Sequence, residues 1–341
     1  MKKYSNFIKM SILVFICLSF VGCKKEQISE ERPQETKIGQ NVWLTYWDTK
    51  AIDKELDYWK EKIKGINYFA AYFDQDRQLF IPFTITNIKT EVEVNFKEEE
   101  WISYLTIVND QALVDGGSIL KDTALLKYLF EDQIAMEGHI KEILTLVREG
   151  GYDGIEIDYE GIKSDKELWN QYLVFLDKLY EKAKDYEMPV RVLLEPSTPI
   201  NELDFPQGPE YIMMCYNLFG YGTSPGPKAN KNFLLELVER MKQVSNERGY
   251  ALATGGFDFR EDGSVKALNT QEALALLKEQ GEVPYREEDS RSIVFRYEDE
   301  EKFSHEVWYA DEETLSYWES VLREVGERNI SIWRLGSTII E

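Results

Sequence analysis

The chain has 341 residues, of which 43% are hydrophobic and 13% aromatic, and its formal net charge is −22. This apolar content is sufficient for a substantial core and argues against a disordered chain. The acidic balance repels phosphate backbones, so we expect no nucleic acid among the partners. A neutral polymer remains compatible with such a surface.

The first residues have the pattern of a bacterial export signal. Three lysines precede the apolar run 10–21, which ends just before Cys23. The run is too short to span a bilayer, for which about 20 residues are needed. Its end resembles a lipobox, the motif whose cysteine becomes lipidated after cleavage. We therefore predict a signal peptide over residues 1–22 and lipidation of Cys23.

Cleavage before Cys23 would remove three lysines, which changes the net charge to −22 − 3 = −25. The stretch 23–40 is polar and charged and contains no aromatic residue, so we predict a flexible linker behind the lipidated cysteine. These features together predict a lipoprotein anchored to the outer face of the bacterial cell membrane. The alternative is a merely cleaved signal in which Cys23 is incidental.

The cysteines and histidines offer no metal site. Cys17 lies in the signal and Cys23 is the predicted lipidation site, so Cys215 is the one cysteine of the folded part and cannot form an internal disulfide. His139 and His305 are the only histidines, and we expect both to be packing or surface residues. We predict neither a metal nor a cofactor.

From residue 41 onward, short apolar or aromatic runs alternate with amphipathic stretches. The eight strand candidates are 41–47, 65–73, 104–109, 154–159, 189–195, 211–217, 250–257 and 330–335. The helix candidates are 52–64, 133–149, 165–186, 230–248, 269–280 and 312–327. Strands alternating with helices over about 300 residues predict an α/β fold, a (β/α)8 TIM barrel formed by residues 41–341.

A doubly wound open sheet is the competing architecture. It is disfavoured because the first strand is followed by residues 47–50 (WDTK), not by a glycine-rich phosphate loop. Residues 290–310 predict a small antiparallel hairpin inserted before the last helix and strand, and Asp311 is the expected N-cap of that helix. No helix follows the eighth strand in the sequence, so the barrel must close without one.

The predicted strand 154–159 has an acidic residue at every second position. Because alternate side chains of a strand point to opposite faces, Glu156, Asp158 and Glu160 share one face and would point into a barrel. A solvated strand face is the alternative, but a parallel strand covered by helices has no wet face. Burying three acids without basic partners is costly, so we expect them to share protons, as groups at functional sites do.

Glu160 lies at the C-terminal end of this strand, the end at which barrel active sites are built. The like charge of Asp158 is expected to raise the pKa of the pair and to help keep Glu160 protonated, able to donate a proton to a glycosidic oxygen. A retaining glycosidase of the ordinary type needs a second carboxylate. Glu195 is a candidate, although we favour a substrate-binding or structural role for it.

Three motifs carry a resemblance to a known family. Residues 153–160 (DGIEIDYE) resemble D-G-x-D-x-D-x-E, the signature of glycoside hydrolase family 18, the chitinase-like family, with one substitution. Residues 214–217 (MCYN) resemble its M-x-Y-D, and residues 331–336 (SIWRLG) resemble its final strand. The resemblance covers about residues 42–336 and leans toward the bacterial spore-cortex-lytic branch.

The resemblance implies cleavage of β-linked N-acetylglucosaminides, in peptidoglycan, chitin-type oligomers or N-glycans, by substrate-assisted retaining catalysis. In that mechanism the 2-acetamido oxygen of the substrate attacks the anomeric carbon. By analogy, Glu160 protonates the leaving group and later activates water, and Asp158 orients the acetamido group. Tyr216 would donate a hydrogen bond to the acetamido oxygen, and Trp333 would form the apolar floor beneath the sugar.

Two positions depart from the family pattern. Glu156 replaces an aspartate, so its longer side chain must still reach Asp158 to share a proton, and Asn217 replaces an aspartate, which removes a charge near the sugar. The predicted structural motif is Asp153 with Gly154. The predicted substrate-binding residues are Glu156, Trp333, Asn217, Glu195 and Tyr46.

Two other functions compete with that of a glycosidase. A non-catalytic carbohydrate-binding lipoprotein is one, but barrel lectins of this family usually lose the acid that this chain keeps as Glu160. A scaffolding lipoprotein is the other, and it leaves the interior carboxylates without an explanation. We therefore favour the enzyme.

Overall fold

The structure is a computed structural model that describes residues 40–114, 116–244 and 246–338. The predicted signal peptide, the predicted lipidation site Cys23 and the predicted linker up to residue 39 lie outside the described residues. Within the described ranges, no helix combines the length and the apolar character needed to cross a membrane.

Strands and helices alternate along the described chain. The strands are β1 (Gln40–Thr45), β2 (Ile63–Phe73), β3 (Leu79–Phe80), β4 (Ile102–Ala112), β5 (Ser118–Ile119), β6 (Gly154–Asp158), β7 (Val190–Leu194), β8 (Glu210–Met214), β9 (Arg248–Ala253), β10 (Gly255–Arg260), β11 (Val265–Leu268), β12 (Tyr285–Arg286), β13 (Ile293–Glu298), β14 (Ser304–Ala310) and β15 (Ile330–Trp333). The helices are α1 (Ile52–Trp59), α2 (Phe83–Asn95), α3 (Thr123–Leu129), α4 (Gln133–Glu149), α5 (Lys166–Lys184), α6 (Lys231–Met241), α7 (Thr270–Gln280) and α8 (Glu312–Glu324).

Eight strands form a closed parallel barrel in the order β1, β2, β4, β6, β7, β8, β9 and β15. The last strand closes it by pairing with β9 on one side and with β1 on the other, where Asn41 lies opposite Ser331. The short strands β3 and β5 pair antiparallel with the ends of β2 and β4. The predicted TIM barrel is confirmed, and the open sheet is wrong because the barrel strands leave no free edge.

Side chains alternate along β6 as the sequence predicts. Ile155 and Ile157 are fully buried in the apolar layer between the barrel and its helices. Glu156 instead contacts residues of the opposing strands inside the barrel, and Asp158 lines the pocket above it. The strand therefore presents its acids to the barrel interior.

The helices follow the prediction in part. The candidates 133–149, 165–186 and 312–327 correspond to α4, α5 and α8, and Asp311 caps α8 through a 2.9 Å hydrogen bond from the Thr314 amide. The candidate 230–248 ends early, at Met241, since the chain enters β9 at Arg248.

Two helices were not predicted: α2 is rich in β-branched residues, which have low helix propensity, and α3 is short. Between β7 and β8 only a 3-10 turn is present.

The insertion before the last helix is larger than the predicted hairpin at 290–310. The candidate strand 250–257 is two strands, because β9 ends at Ala253 and β10 begins at Gly255. Strands β10 to β14 form a separate antiparallel sheet, and α7, predicted among the barrel helices, packs on that sheet. A Cβ on Gly256 would lie 1.7 Å from the Trp308 carbonyl oxygen, so only glycine allows β14 to approach here.

Gly154 offers a test of the packing inside the barrel, because a Cβ there would lie 2.5 Å from the ring of Tyr104 and 3.0 Å from Pro189. We expect Gly154→Ala to lower the free energy of unfolding by about 1–3 kcal/mol, as overpacking does. Denaturant unfolding followed by circular dichroism measures the change. Gly138→Ala is the control, since it lies in α4 with nothing within 4 Å and should stabilise by about 0.5–1 kcal/mol. Equal unfolding midpoints for Gly154→Ala and the unmodified protein would contradict the prediction.

Candidate active site

The deepest acid of β6 is Glu156, which has no exposed surface. Its Oε1 accepts hydrogen bonds from Trp43 Nε1 and Thr106 Oγ1, both at 2.7 Å. Its Oε2 accepts from Asn67 Nδ2 at 2.9 Å and from Arg191 Nε at 3.0 Å. Burial raises the pKa of Glu156, while Arg191 and the polar donors oppose that rise. Four donors around one carboxyl group are the surroundings of a carboxylate anion.

Arg191 is the partner that the sequence analysis did not identify. It is fully buried, and besides Glu156 it donates to Glu210 Oε2 at 2.8 Å and to Ser331 Oγ at 3.0 Å. Burial alone would lower the pKa of Arg191, but the carboxylates of Glu210 and Glu156 raise it. The expectation of acids without a basic partner is therefore wrong. Glu156 bonds to Arg191 and does not share a proton with Asp158.

Above this ion pair, a pocket of about 470 Å³ opens at the C-terminal ends of the barrel strands. Its lining residues are Phe69, Lys121, Asp158, Glu160, Leu193, Glu195, Pro196, Ser197, Met214, Tyr216, Asn217 and Trp333. Six of them are predicted site residues, which come from four separate segments of the sequence. Glu156 lies beneath the pocket and is not among its lining residues, so we assign it a supporting role instead of the predicted contact with substrate.

Asp158 occupies the middle of the acidic row. Only 6% of its surface is exposed, and its Oδ1 is buried and has no hydrogen-bond partner in the described part of the chain. Burial raises the pKa of Asp158 well above its usual value, and the charges of Glu160 and Glu156 add to that rise. Asp158 is one of the residues that line the pocket, and its unpaired oxygen leaves one possible hydrogen bond of this side chain unmade.

Glu160 stands at the mouth of the barrel. Its backbone is fixed by Asn109, whose side chain accepts from the Glu160 amide at 2.9 Å and donates to the Glu160 carbonyl at 3.0 Å. Its carboxylate forms an ion pair with Lys121. Burial, assisted by Glu195, raises the pKa of Glu160 to about 7 although Lys121 acts in the opposite direction. The carboxyl group can therefore exchange a proton close to neutral pH.

Glu195 follows β7 and stands beside Glu160. Its Oε2 accepts a 2.8 Å hydrogen bond from the Gly161 amide, and its side chain is within hydrogen-bonding reach of the Glu160 carboxyl group. The two carboxyl groups of an ordinary retaining glycosidase are about 5–5.5 Å apart, with the sugar between them. Since Glu195 lies next to the acid and not across a sugar from it, the geometry disfavours Glu195 as a nucleophile.

Aromatic rings form one wall of the pocket and continue as a row beyond it. Trp333 packs edge-on against Trp43 at 5.9 Å and against Phe69 at 4.8 Å between ring centroids. Trp47 contacts Phe69 at 5.8 Å, and Tyr46 contacts Trp47 at 4.8 Å. Tyr46 is 43% and Trp47 46% exposed. Tyr46 therefore lies outside the pocket that contains Glu160, at the far end of a row of rings that leads to it.

The remaining predicted site residues lie at opposite ends of the barrel. Tyr216 and Asn217 line the pocket just after β8, and burial raises the pKa of Tyr216 well above its usual value. Asn217 has φ of 61°, a left-handed conformation that asparagine tolerates. Asp153 precedes β6 at the other end, where its Oδ2 accepts from the Ser103 amide at 2.8 Å and from Ser103 Oγ at 2.6 Å. That contact ties β6 to β4.

The histidines and the described cysteine lie away from the pocket. His139 is buried and bonds to Tyr159 at 2.7 Å, and His305 bonds to Asp258 at 2.8 Å within the inserted sheet. Cys215 is buried. Among the residues that the structure describes, no group of three or more His, Cys, Asp or Glu side chains is arranged to hold a metal ion.

Comparisons with known proteins bear on the class of protein and on the fold. No protein-family model matches the chain. The chain is 23% identical over 230 residues to the uncharacterized glycosylase YvbX of Bacillus subtilis. This alignment covers 63% of this chain and 67% of the relative. It is also 23% identical over 330 residues to the cortical fragment-lytic enzyme of Bacillus subtilis, with 88% of this chain and 71% of the relative covered.

A solved structure shares the fold. The class V chitinase from Nicotiana tobaccum in complex with NAG4 has a TM-score of 0.67 and 11% identity, over 87% of this chain and 94% of that one. At such low identity the likeness establishes the barrel alone. The names of the sequence relatives, taken together with the fold, confirm the predicted class of enzyme, a glycosidase.

The Arg191–Glu156 pair offers a second test. We expect Arg191→Met to lower the free energy of unfolding by about 3–5 kcal/mol, because Glu156 would be left as an uncompensated buried charge. Denaturant unfolding measures the loss, and Arg191→Met combined with Glu156→Gln should recover part of it. Lys242→Met removes an exposed ion pair with Glu239 and should change stability by less than about 1 kcal/mol. Additive effects in the double variant would refute a direct coupling between the two buried side chains.

Proposed function

We propose that the chain hydrolyses β-linked N-acetylglucosaminides with retention of configuration, using the acetamido group of the substrate as the nucleophile. The polymer is peptidoglycan, a chitin-type oligomer or an N-glycan. Glu160 is the general acid and base, and Asp158 and Tyr216 position the reacting acetamido group.

The reaction has two steps. In the first, the 2-acetamido oxygen attacks the anomeric carbon while Glu160 gives its proton to the leaving oxygen, and an oxazolinium intermediate forms. In the second, Glu160 takes a proton from water, which opens the intermediate at the anomeric carbon and restores the acetamido group. Asp158 accepts a hydrogen bond from the acetamido N–H, and Tyr216 donates one to the acetamido oxygen. Trp333 packs beneath the sugar ring.

One observation carries the proposal. Asp158 lines the same pocket as Glu160, two residues before it, and its buried Oδ1 has no hydrogen-bond partner among the described residues. A buried acceptor without a donor destabilises the free protein, and the N–H of a bound acetamido group would remove that penalty. Because the pKa of Glu160 is about 7, a large fraction of its carboxyl groups hold a proton at neutral pH. The placement of Glu195 beside Glu160 supports a nucleophile supplied by the substrate.

We further propose that the protein acts outside the cell from a lipid anchor at Cys23. The basic start, the apolar run 10–21 and the lipobox-like ending support this location. A polar linker behind Cys23 would let the barrel reach a glycan that lies beyond the membrane surface.

The catalytic role of Glu160 is testable by substitution. We expect Glu160→Gln in the full chain to lower the rate of glycan cleavage by about 10²–10⁴-fold, because the amide cannot donate the proton. Reducing-sugar release is measured on peptidoglycan, chitin oligomers and glycoprotein, with Glu236→Gln, an exposed position on α6, as the control. Equal cleavage of deacetylated and acetylated substrates would refute the substrate-assisted mechanism. Binding of all three glycans without cleavage would favour the carbohydrate-binding alternative.

The anchor is testable separately. We expect Cys23→Ser to abolish incorporation of a labelled fatty acid and to release the protein from the membrane fraction of a bacterial host. The matched control is Cys17→Ser, which lies within the predicted signal and should remain labelled. Unchanged labelling of Cys23→Ser would show that this cysteine is not the lipidation site.

A further inference from the structure

We propose that Lys121 recognises a carboxylate on the leaving sugar, so that the enzyme prefers glycans with a free acid group next to the scissile oxygen. This inference rests on the proposed function and names the kind of substrate that its pocket selects. It assigns Lys121, which lies outside the motifs of the sequence, a role in positioning and specificity.

The first observation is the place of Lys121 in the pocket. Among the described lining residues it is the one cation, and its side chain is 49% exposed. Its ammonium group forms an ion pair with the Glu160 carboxylate. Asp158, Glu195 and Asp110 are further acidic groups that interact electrostatically with it. Burial alone would lower the pKa of Lys121, but Glu160 and these neighbours raise it, so Lys121 is a permanent cation in the neutral range.

The second observation is that the backbone holds Lys121 firmly in this place. Its φ is 52°, in the left-handed region that is uncommon for residues other than glycine. The Lys121 amide donates to Asp110 Oδ1 at 2.7 Å. The next residue, Asp122, caps α3 by accepting from the Ala124 amide at 2.8 Å. A Cβ on Gly161 would lie 3.2 Å from the Lys121 carbonyl oxygen, so this turn packs directly on the residue that follows Glu160.

The ion pair conflicts with the role of Glu160 as an acid. A neighbouring ammonium group stabilises the ionised carboxylate, whereas the first catalytic step needs the protonated form. A neutral leaving sugar has no charged group that could compete with Glu160 for the ammonium group of Lys121. If the leaving sugar has its own carboxylate, that carboxylate would replace Glu160 as the ion-pair partner of Lys121. Glu160 would then keep its proton while the ammonium group stays paired.

One common sugar has the required chemistry. In a β-(1→4)-linked strand that alternates N-acetylglucosamine with its 3-O-lactyl derivative, the scissile oxygen is O4 of the lactyl sugar. The lactyl carboxyl group is attached at the adjacent O3, so it lies close to the group that protonates O4. In peptidoglycan this carboxyl group is free only where the stem peptide is absent. The reaction that supplies the preferred substrate is therefore hydrolysis of the amide bond between the lactyl group and the peptide.

The test compares two soluble oligosaccharides that differ only at the lactyl group, one with free lactyl carboxylates and one with the same groups as neutral methyl amides. With the full chain, we expect kcat/KM to be about tenfold or more higher for the free acid, as is usual for a charge-assisted hydrogen bond. Lys121→Gln should remove the preference and Lys121→Arg should keep it. Lys163→Gln is the matched control, since Lys163 is an exposed lysine of the loop after β6 and also has φ of 52°.

The pH profile on the neutral amide separates this role from a merely structural one. In the unmodified protein, kcat/KM should fall as the pH rises through about 7, because the acid form of Glu160 is lost. Lys121 favours the ionised form, so Lys121→Gln should move this alkaline limb to higher pH. Lys163→Gln should leave it in place.

Each outcome has a defined meaning. Equal kcat/KM values for the two oligosaccharides, or a preference that persists in Lys121→Gln, would overturn this inference and leave the proposed function intact. An unmoved alkaline limb in Lys121→Gln would show that Lys121 does not control the proton of Glu160, which also overturns it. If the unmodified protein cleaves neither these oligosaccharides nor any acetylated glycan, both proposals fail.

Discussion

The buried ion pair between Glu156 and Arg191 is the interaction on which the rest of the structure depends. Its hydrogen bonds join one residue each from β1, β2, β4, β6, β7, β8 and β15, which are Trp43, Asn67, Thr106, Glu156, Arg191, Glu210 and Ser331. A buried ion pair costs desolvation energy and is seldom a net source of stability. Each hydrogen bond of the ion pair needs a donor at a restricted angle. The role of the pair is therefore to fix the register of the strands below the pocket.

That constraint separates the two acids of β6 and Glu160, which follows the strand, by the partners available to each. Glu156 has a buried arginine, and Glu160 has a half-exposed lysine together with a competing carboxyl group. Asp158, between them, has a buried oxygen that meets no donor within the described ranges. Acidic side chains at three alternate positions therefore have three different surroundings. The depth of each carboxyl group in the barrel causes this difference in surroundings. Depth decides how much water reaches the group and which opposing strands it contacts.

The surroundings of the pocket come from segments with no family motif. Lys121 is contributed by the turn after β5, and Glu195 by the end of β7. The chain enters the inserted sheet after β9 and returns from β14 to α8. The insertion therefore lies between two consecutive barrel strands and does not change their pairing. In barrel folds, loops of this kind can differ from one protein to another while the scaffold keeps the barrel strands in place.

The sequence by itself determined the barrel and its acidic strand, because both follow from local periodicity: alternating strands and helices, and acids at every second residue from 156 to 160. It did not determine the partners of those acids. Arg191 was visible as a lone charge in an apolar strand, and Lys121 had no such signal. The size of the insertion was hidden because the run 250–257 reads as one strand, whereas β9 ends at Ala253 and β10 begins at Gly255. Tertiary structure alone decided these points, since a carboxyl group acquires its partner and its pKa from residues that are distant in sequence and adjacent in the closed barrel.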